Sequence, residues 1–218
     1  MKHERENSRV YLMDCMELMK GYPDKYFDLA VVDPPYGLGM ATVSIPSEKN
    51  TNSQQKFYKD LKSKKWDDNT PNKEYFNELK RVSKNQILWG GNYMAEHLGN
   101  TKCIIIWDKM TYIPTMSQFE FAFCSFNKHP KMVKINSTDI DRIHPTQKPV
   151  ALYDWIFMNY AKPDQKILDT HLGSQSSRIA AHKHGLDFTG CELDKEYFEQ
   201  GCKRFDQYLS QPTLFSLT

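Results

Sequence analysis

The chain has 218 residues, 39% of them hydrophobic, and a formal net charge of +2. This length and apolar content suit one globular α/β domain with a sizeable core. We therefore expect residues 1–218 to form a single domain, with small insertions at about 37–66 and 108–143 and a flexible tail at 209–218. The nearly balanced charge does not by itself indicate a polyanionic partner.

No apolar run approaches the roughly 20 residues that span a bilayer, and the first residues carry charges instead of a hydrophobic signal segment. A membrane protein is therefore excluded, and we expect a cytoplasmic one. The five cysteines are an odd number without a Cys-x-x-Cys spacing, which indicates neither a disulfide framework nor a zinc site. No metal is expected.

The apolar pattern of the first half predicts strands and helices in alternation, the order typical of an α/β sheet. Turn and helix-start signals, such as Thr70-Pro71 before a helix and Gly90-Gly91 after a strand, separate the elements. Strands are predicted at 10–13, 27–32, 86–89 and 103–107, and helices at 14–20, 71–82 and 92–98.

In the second half, strands 119–126 and 131–135 are separated by a short turn at 127–130, which predicts an antiparallel hairpin at a sheet edge. A helix begins at Pro149 and ends before Pro163. The remaining predicted strands are 166–169 and 187–191, and the remaining helices are 174–184 and 194–208.

The apolar strand 27–32 runs directly into Asp33-Pro34-Pro35-Tyr36. An exocyclic amine on an aromatic base is a poor nucleophile, and an enzyme activates it by accepting hydrogen bonds from its N–H groups. The Asp33 carboxylate and the Pro34 carbonyl are two such acceptors. Tyr36 offers a face for stacking a base pulled out of a duplex. For this tetrapeptide alone, a turn without catalytic function is the alternative interpretation.

A second motif follows strand 166–169, where Asp169 leads into a turn of small residues that ends in Gly173-Ser174 and opens a helix. Glu192 ends the next predicted strand, 23 residues after Asp169. In nucleotide-binding sheets such a turn approaches the ligand, and an acid about 20 residues later accepts hydrogen bonds from ribose hydroxyls. An ordinary tight turn is the alternative for the turn alone.

Together these motifs resemble those of DNA amino-methyltransferases of the beta arrangement, in which the catalytic motif precedes the cofactor-binding one. The resemblance covers nearly the whole chain and includes residues 144–149 and 87–92. It implies a Rossmann-like S-adenosylmethionine-dependent methyltransferase fold with a seven-stranded sheet and permuted motif order. Such enzymes occur in phages and bacteria, where many serve restriction-modification systems.

The resemblance also implies roles for individual residues, with S-adenosylmethionine as the cofactor. The catalytic residues would be Asp33, Pro34, Pro35 and Tyr36. The cofactor-binding residues would be Asp14, Asp33, Lys148, Asp169, His171, Gly173, Ser174 and Glu192.

The chain departs from the family pattern at the cofactor turn. Thr170-His171 stands where members usually have Pro-Phe, and Gln175 replaces the final glycine of the motif. A glutamine at a glycine position is expected to crowd the methionine portion of the cofactor or to need a different backbone conformation. We therefore expect activity to be lowered or lost.

The resulting hypothesis is a site-specific DNA adenine methyltransferase that transfers the methyl group directly, without a covalent intermediate. Methylation of the cytosine amino group is one alternative, and a catalytically weakened DNA-binding protein of the same fold is another. The partner would be double-stranded DNA. The small insertions leave little room for a recognition domain, which suggests a short target or a homodimer.

Two further segments suggest partners. Lys62, Lys64 and Lys65 belong to a lysine-rich stretch with interleaved aromatic residues, which predicts phosphate contacts with DNA; a solvated surface is the alternative. Gln211, Leu214 and Phe215 resemble the short peptide by which bacterial proteins bind the sliding clamp. Packing of Leu214 and Phe215 back onto the domain is the alternative there.

Overall fold

The computed structural model describes residues 1–38, 67, 69–111, 117–137, 142–144 and 146–211. Within these residues, strands and helices alternate for most of the chain. The strands are β1 (Lys2–Arg5), β2 (Ser8–Leu12), β3 (Phe27–Val32), β4 (Ser83–Trp89), β5 (Cys103–Asp108), β6 (Phe119–Cys124), β7 (Lys131–Lys134), β8 (Lys166–Asp169) and β9 (Asp187–Glu192). The α-helices are α1 (Cys15–Lys20), α2 (Lys73–Val82), α3 (Ala95–Leu98), α4 (Val150–Tyr160), α5 (Ser176–Lys183) and α6 (Lys195–Ser210).

The strands of the described segments form one sheet in the order β1-β2-β9-β8-β3-β4-β6-β5-β7. The five strands from β2 to β4 in this order are parallel, and β6 is antiparallel to both of its neighbours, β4 and β5. The expected number of seven strands is wrong, because one further strand is added at each edge. The β1 strand pairs antiparallel with β2, and β7 pairs parallel with β5.

The predicted hairpin of β6 and β7 is also wrong. The β6 strand lies between β4 and β5, and its residues Ala122 and Cys124 are fully buried. The β7 strand pairs with β5 instead, with Ile105 opposite Lys131. A short turn between two apolar runs predicts that both are strands, but it does not determine which neighbour each one pairs with.

The core lies on both faces of the sheet. Leu29 and Val31 of β3 face a cluster that includes α4 and α5, while Ala30 and Val32 face a second cluster with α1 and α2. A parallel strand covered on both faces is continuously apolar, which explains why this segment was easy to predict. None of the helices that the structure describes is long and apolar enough to cross a membrane.

Gln175 precedes α5 with a left-handed backbone (φ +59°) and is completely buried. Its side chain points toward α6, where Nε2 donates to the Phe198 carbonyl over 3.3 Å. Its Oε1 accepts a hydrogen bond of 2.9 Å from Arg178. The glutamine thus adopts the backbone conformation that favours glycine, but its side chain fills space between two helices.

This packing predicts that Gly201→Ala is destabilising. A Cβ at Gly201 would lie 2.6 Å from Gln175 Nε2, so the buried Gln175 side chain would have to shift. We expect a loss of about 1–3 kcal/mol in the free energy of unfolding, measured by urea denaturation. In a Gln175→Ala background the same change should cost less, and equal costs in both backgrounds would contradict the contact.

Candidate active site

The β3 and β8 strands are parallel neighbours, with Leu29 opposite Ile167. The residues that follow both strands therefore emerge at the same edge of the sheet. A cavity of about 570 Å³ lies there. Of the residues predicted from sequence, those that line it are Asp14, Asp33, Pro35, Lys148, His171, Gly173, Ser174 and Glu192.

Glu192 holds the turn from Thr170 to Ser174 against the end of β9. Its Oε2 accepts a hydrogen bond of 2.8 Å from the Gly173 backbone N–H, and its Oε1 accepts one of 2.9 Å from Asp194 N–H. Burial raises the pKa of Glu192. Because each carboxylate oxygen has two lone pairs, both oxygens can accept a further hydrogen bond from a ligand in the cavity.

Asp14 and Asp194 occupy equivalent positions at the starts of two helices. The Asp14 carboxylate accepts from the N–H groups of Met16 and Glu17 and so caps α1. Asp194 caps α6 in the same way, and both residues line the cavity. N-capping by aspartate is a common reason for an acid at this position.

Asp169 does not line the cavity, unlike the neighbouring residues of its motif. Its Oδ1 accepts from the His171 backbone N–H over 3.0 Å, and its Oδ2 accepts from the Ser177 hydroxyl over 2.5 Å. Burial raises the pKa of Asp169 to about 7. Asp169 therefore stabilises the turn through these two hydrogen bonds, and the cofactor contact that the resemblance implies stays a prediction.

His171 lines the cavity and is held by a chain of hydrogen bonds. Its Nδ1 lies 2.9 Å from the Thr170 hydroxyl, which lies 2.7 Å from the Tyr75 hydroxyl. The Tyr75 ring also meets the imidazole edge to face at 5.5 Å. Burial lowers the pKa of His171 to about 4, so the ring is neutral at physiological pH.

Asp33, at the end of β3, is held by two donors. Its Oδ1 accepts a hydrogen bond of 2.7 Å from the Tyr36 hydroxyl, and its Oδ2 lies 2.5 Å from the Lys148 ammonium. Lys148 Nζ is also 3.1 Å from Glu120 Oε2. The other Glu120 oxygen pairs with Lys109 over 2.6 Å. Two carboxylates and two lysines thus form a cluster that we call the Asp33 cluster.

The pKa values within the Asp33 cluster follow from burial and from the paired charges. Burial raises the pKa of Asp33, and the nearby Lys148 ammonium opposes this shift. For Lys148, the carboxylates of Asp33 and Glu120 outweigh burial and raise the pKa. For Glu120, burial is outweighed by the two lysines, which lower the pKa to about 2. Glu120 and Lys148 are therefore charged at neutral pH.

The Tyr36 side chain contacts protein groups on several sides. Its hydroxyl donates a hydrogen bond to Asp33 of the Asp33 cluster, and its ring stacks on Tyr93 with 5.2 Å between centroids. The ring also packs against Gly90, where a Cβ would lie 2.2 Å away. Its backbone N–H donates to Asp67 over 2.7 Å. One face of Tyr36 is thus already covered by Tyr93, which is itself 44% exposed.

Sequence reasoning missed Glu120, Lys109 and Tyr93. Glu120 stands between Phe119 and Phe121 in an otherwise apolar strand, and a charged residue in such a strand was a signal that could have been used. The predicted DNA-contacting lysines Lys62, Lys64 and Lys65 and the tail residues Leu214 and Phe215 lie outside the described residues. Those assignments stay predictions.

Gln211 ends α6, where its backbone N–H donates to the Tyr208 carbonyl over 3.2 Å. Gln175 does not line the cavity, so the expectation that its side chain crowds a cofactor is wrong. In the part of the chain that the structure describes, there is no group of three or more His, Cys, Asp or Glu side chains arranged to hold a metal ion.

Comparison with known proteins relates this arrangement to DNA methylases. Residues 100–203 match the model of the DNA methylase family N6_N4_Mtase. The chain is 25% identical to the type II methyltransferase M2.MboI of Moraxella bovis, over 93% of this chain and 89% of that protein. This match covers both motifs.

Two solved structures share the fold. The M1.HpyAVI–SAM complex has a TM-score of 0.58 and 19% identity, covering 93% of this chain and 98% of that one. The PvuII DNA methyltransferase, described as cytosine-N4-specific, has a TM-score of 0.59 and 13% identity, covering 93% and 91%. The fold is therefore the α/β fold of S-adenosylmethionine-dependent methyltransferases. The matches support the DNA amino-methyltransferase class and do not distinguish adenine from cytosine as the target.

The raised pKa of Asp169 predicts a pH-dependent stability. Between pH 3.8, the ordinary value, and about 7 the folded state binds this proton more tightly than the unfolded state, so rising pH removes stability. Relative to Asp169→Asn, the free energy of unfolding of the wild-type protein should fall by up to about 4 kcal/mol as the pH rises through this window, at about 1.4 kcal/mol per pKa unit.

Urea denaturation at several pH values measures this difference. Asp24→Asn is the control, because it removes one carboxylate from a side chain that is 75% exposed. A constant difference between wild type and Asp169→Asn from pH 4 to 7 would contradict the assignment.

Proposed function

We propose that this protein is a site-specific DNA methyltransferase that transfers a methyl group from S-adenosylmethionine to the exocyclic amino group of adenine. The observation that supports this most directly is the position of Asp33 on the wall of the same cavity that Gly173 and Glu192 line. One cavity thus contains both a hydrogen-bond acceptor suited to an amine, the Asp33 carboxylate, and a turn suited to binding a nucleoside. The Asp-Pro-Pro-Tyr motif favours adenine, and the cytosine amino group is the alternative target.

The residues around the cavity fit S-adenosylmethionine. Glu192 is fixed by two backbone donors and keeps lone pairs for ribose hydroxyls. Gly173 has a left-handed backbone (φ +48°) and no side chain, so the main chain can approach a ligand closely. When bound there, the cofactor supplies a methyl group already activated by the positive charge on its sulfonium.

The chain's own contribution to transfer is to orient and polarise the amine. Asp33 and the Pro34 carbonyl would accept hydrogen bonds from its two N–H groups, which directs the nitrogen lone pair at the methyl group. Tyr36 and Lys148 hold the Asp33 carboxylate in a defined orientation. The step then depends on alignment more than on acid or base strength.

A catalytically weakened DNA-binding protein is the second candidate. In the sequence, Gln175 and the clamp-like tail favour it. The Gln175 side chain is buried between α5 and α6, and Leu214 and Phe215 of the tail lie outside the described residues. Double-stranded DNA remains the proposed partner of either candidate. Phosphate contacts through Lys62, Lys64 and Lys65, clamp binding through Leu214 and Phe215, and a homodimer are further proposals that rest on the sequence alone.

Asp33→Asn should abolish methyl transfer, while cofactor binding should fall less. The substitution keeps the shape of the side chain but removes the charge that polarises the amine. Tritiated S-adenosylmethionine and PCR-amplified genomic DNA, which carries no methylated bases, provide the assay. Mass spectrometry of the hydrolysed nucleosides then separates N6-methyladenine from N4-methylcytosine.

Asp28→Asn is the matched control. Asp28 lies on the same strand with a similarly shielded side chain, pairs with Lys84 and does not line the cavity. It should keep its activity. Near wild-type turnover by Asp33→Asn would remove Asp33 from the catalytic role, and absence of methylated bases with wild-type protein would reject the proposed function.

Glu192→Gln should weaken S-adenosylmethionine binding by about 1–3 kcal/mol, the scale of a hydrogen bond to a charged group. The amide keeps the side chain's size but places a donor where ribose hydroxyls and backbone N–H groups need acceptors. Calorimetry measures the dissociation constant directly. Glu199→Gln, at an exposed position on α6, is the control, and equal affinities of all three proteins would place the ribose elsewhere.

A further inference from the structure

Glu120 has no role in the mechanism proposed above, yet its carboxylate lies inside the Asp33 cluster. It comes from β6, far in sequence from both motifs. Its Oε2 lies 3.1 Å from Lys148 Nζ and 3.2 Å from the Tyr36 hydroxyl. These are the same two donors that hold Asp33. Glu120 is therefore a second acceptor for both donors that bind the Asp33 carboxylate.

Because Glu120 and Asp33 share the same two donors, the hydrogen bonds of Asp33 depend on Glu120. An oxygen that already accepts a charge-assisted hydrogen bond from Lys148 is a weaker acceptor for the amine of a base. The Tyr36 hydroxyl has one proton and can donate it to Asp33 or to Glu120, but not fully to both. The Lys148 ammonium has three protons and can contact both carboxylates.

Glu120 is itself anchored from the opposite side. Its Oε1 pairs with Lys109, whose ammonium also lies 5.6 Å from the Trp107 ring centroid. Trp107 is directly opposite Glu120 in the pairing of β5 with β6. One oxygen of Glu120 is thus fixed, while the other faces the donors of Asp33.

We propose that Glu120 is a positioning residue that takes over the hydrogen bonds of Lys148 and Tyr36 when Asp33 engages the target amine. The exchange moves only hydrogen bonds, and no proton or covalent bond is transferred. It keeps the Lys148 charge paired throughout, since an unpaired buried ammonium costs several kcal/mol. The inference rests on the proposed methyl transfer. It adds a residue that determines how readily Asp33 accepts a hydrogen bond from the target amine.

Glu120→Gln tests this role, because it keeps the size of the side chain and removes its charge. Single-turnover methylation of PCR-amplified genomic DNA should slow at least about tenfold, equivalent to about 1.4 kcal/mol. S-adenosylmethionine affinity should not change. Glu120→Asp keeps the charge on a shorter side chain and should recover part of the rate.

The pH profile separates positioning from a merely structural role. The titratable groups facing Glu120 are Lys109 after β5, Lys148 before α4, Tyr153 within α4, and Asp33 and Tyr36 after β3. Removing a negative charge favours loss of a proton from Asp33 and from Lys148. The acidic limb of the rate profile, which Asp33 sets, should therefore move to lower pH in Glu120→Gln; the raised pKa of Lys148 keeps its own titration above the pH range of the assay.

Asp154→Asn is the matched control, because Asp154 has a side chain 20% exposed against 19% for Glu120 and also pairs with a lysine, Lys183. It should keep the wild-type rate and profile. A wild-type rate in Glu120→Gln, or a reduced rate with an unmoved acidic limb, would overturn the proposal.

Carbon-13 NMR titration of the Asp33 carboxyl provides a readout that does not depend on activity. The pKa of Asp33 should be lower in Glu120→Gln than in wild type, and an unchanged value would also overturn the proposal. If wild-type protein methylates no DNA, the proposed function fails, while the titration still tests Glu120.

Discussion

The buried ammonium of Lys148 is the interaction on which the arrangement of the site depends. Its side chain is only 3% exposed, and it contacts the carboxylates of Asp33 and Glu120. A buried charge that loses its partners costs several kcal/mol, so the fold must bring both acids to it. Three segments distant in sequence, at the end of β3, in β6 and before α4, are thereby held at one point.

The buried Lys148 charge also explains the residues at the end of β4, Trp89 and the Gly90 that follows it. The Lys148 ammonium lies 5.4 Å from the Trp89 ring centroid and 5.6 Å from that of Tyr36, and such aromatic faces stabilise a cation. Gly90 allows the Tyr36 ring to approach the backbone so closely. Its left-handed conformation (φ +68°) is a second reason for glycine at this position. Trp89, and Gly90 through the Tyr36 ring, are thus part of the surroundings of the Lys148 charge.

Much of the fold was predictable because its central strands are apolar and end in turn residues. The β3 and β8 strands have the predicted bounds, 27–32 and 166–169. Asp33, Gly173 and Glu192 line one cavity because the ends of parallel strands meet at one edge of a sheet.

The errors have equally physical causes. The β1 strand is largely exposed and polar, so it has no apolar alternation to detect. The partner of β7 depends on tertiary packing, which a local pattern does not encode. Glu120 was missed because its significance comes from Lys148, which is 28 residues later in the chain.

Gln175 shows how a departure from a motif can be a packing solution. Its amide contacts the buried Arg178, whose guanidinium also donates to Ser8 over 2.7 Å and lies 3.9 Å from the Phe205 ring centroid. Burial lowers the pKa of Arg178 to about 10, and neutral acceptors must satisfy its N–H groups. The Gln175 oxygen is one of them, and Gly201 leaves the space that its amide nitrogen occupies. Gln175, Arg178 and Gly201 therefore form one matched set, which keeps the glutamine out of the cavity and leaves the turn from Thr170 to Ser174 facing it.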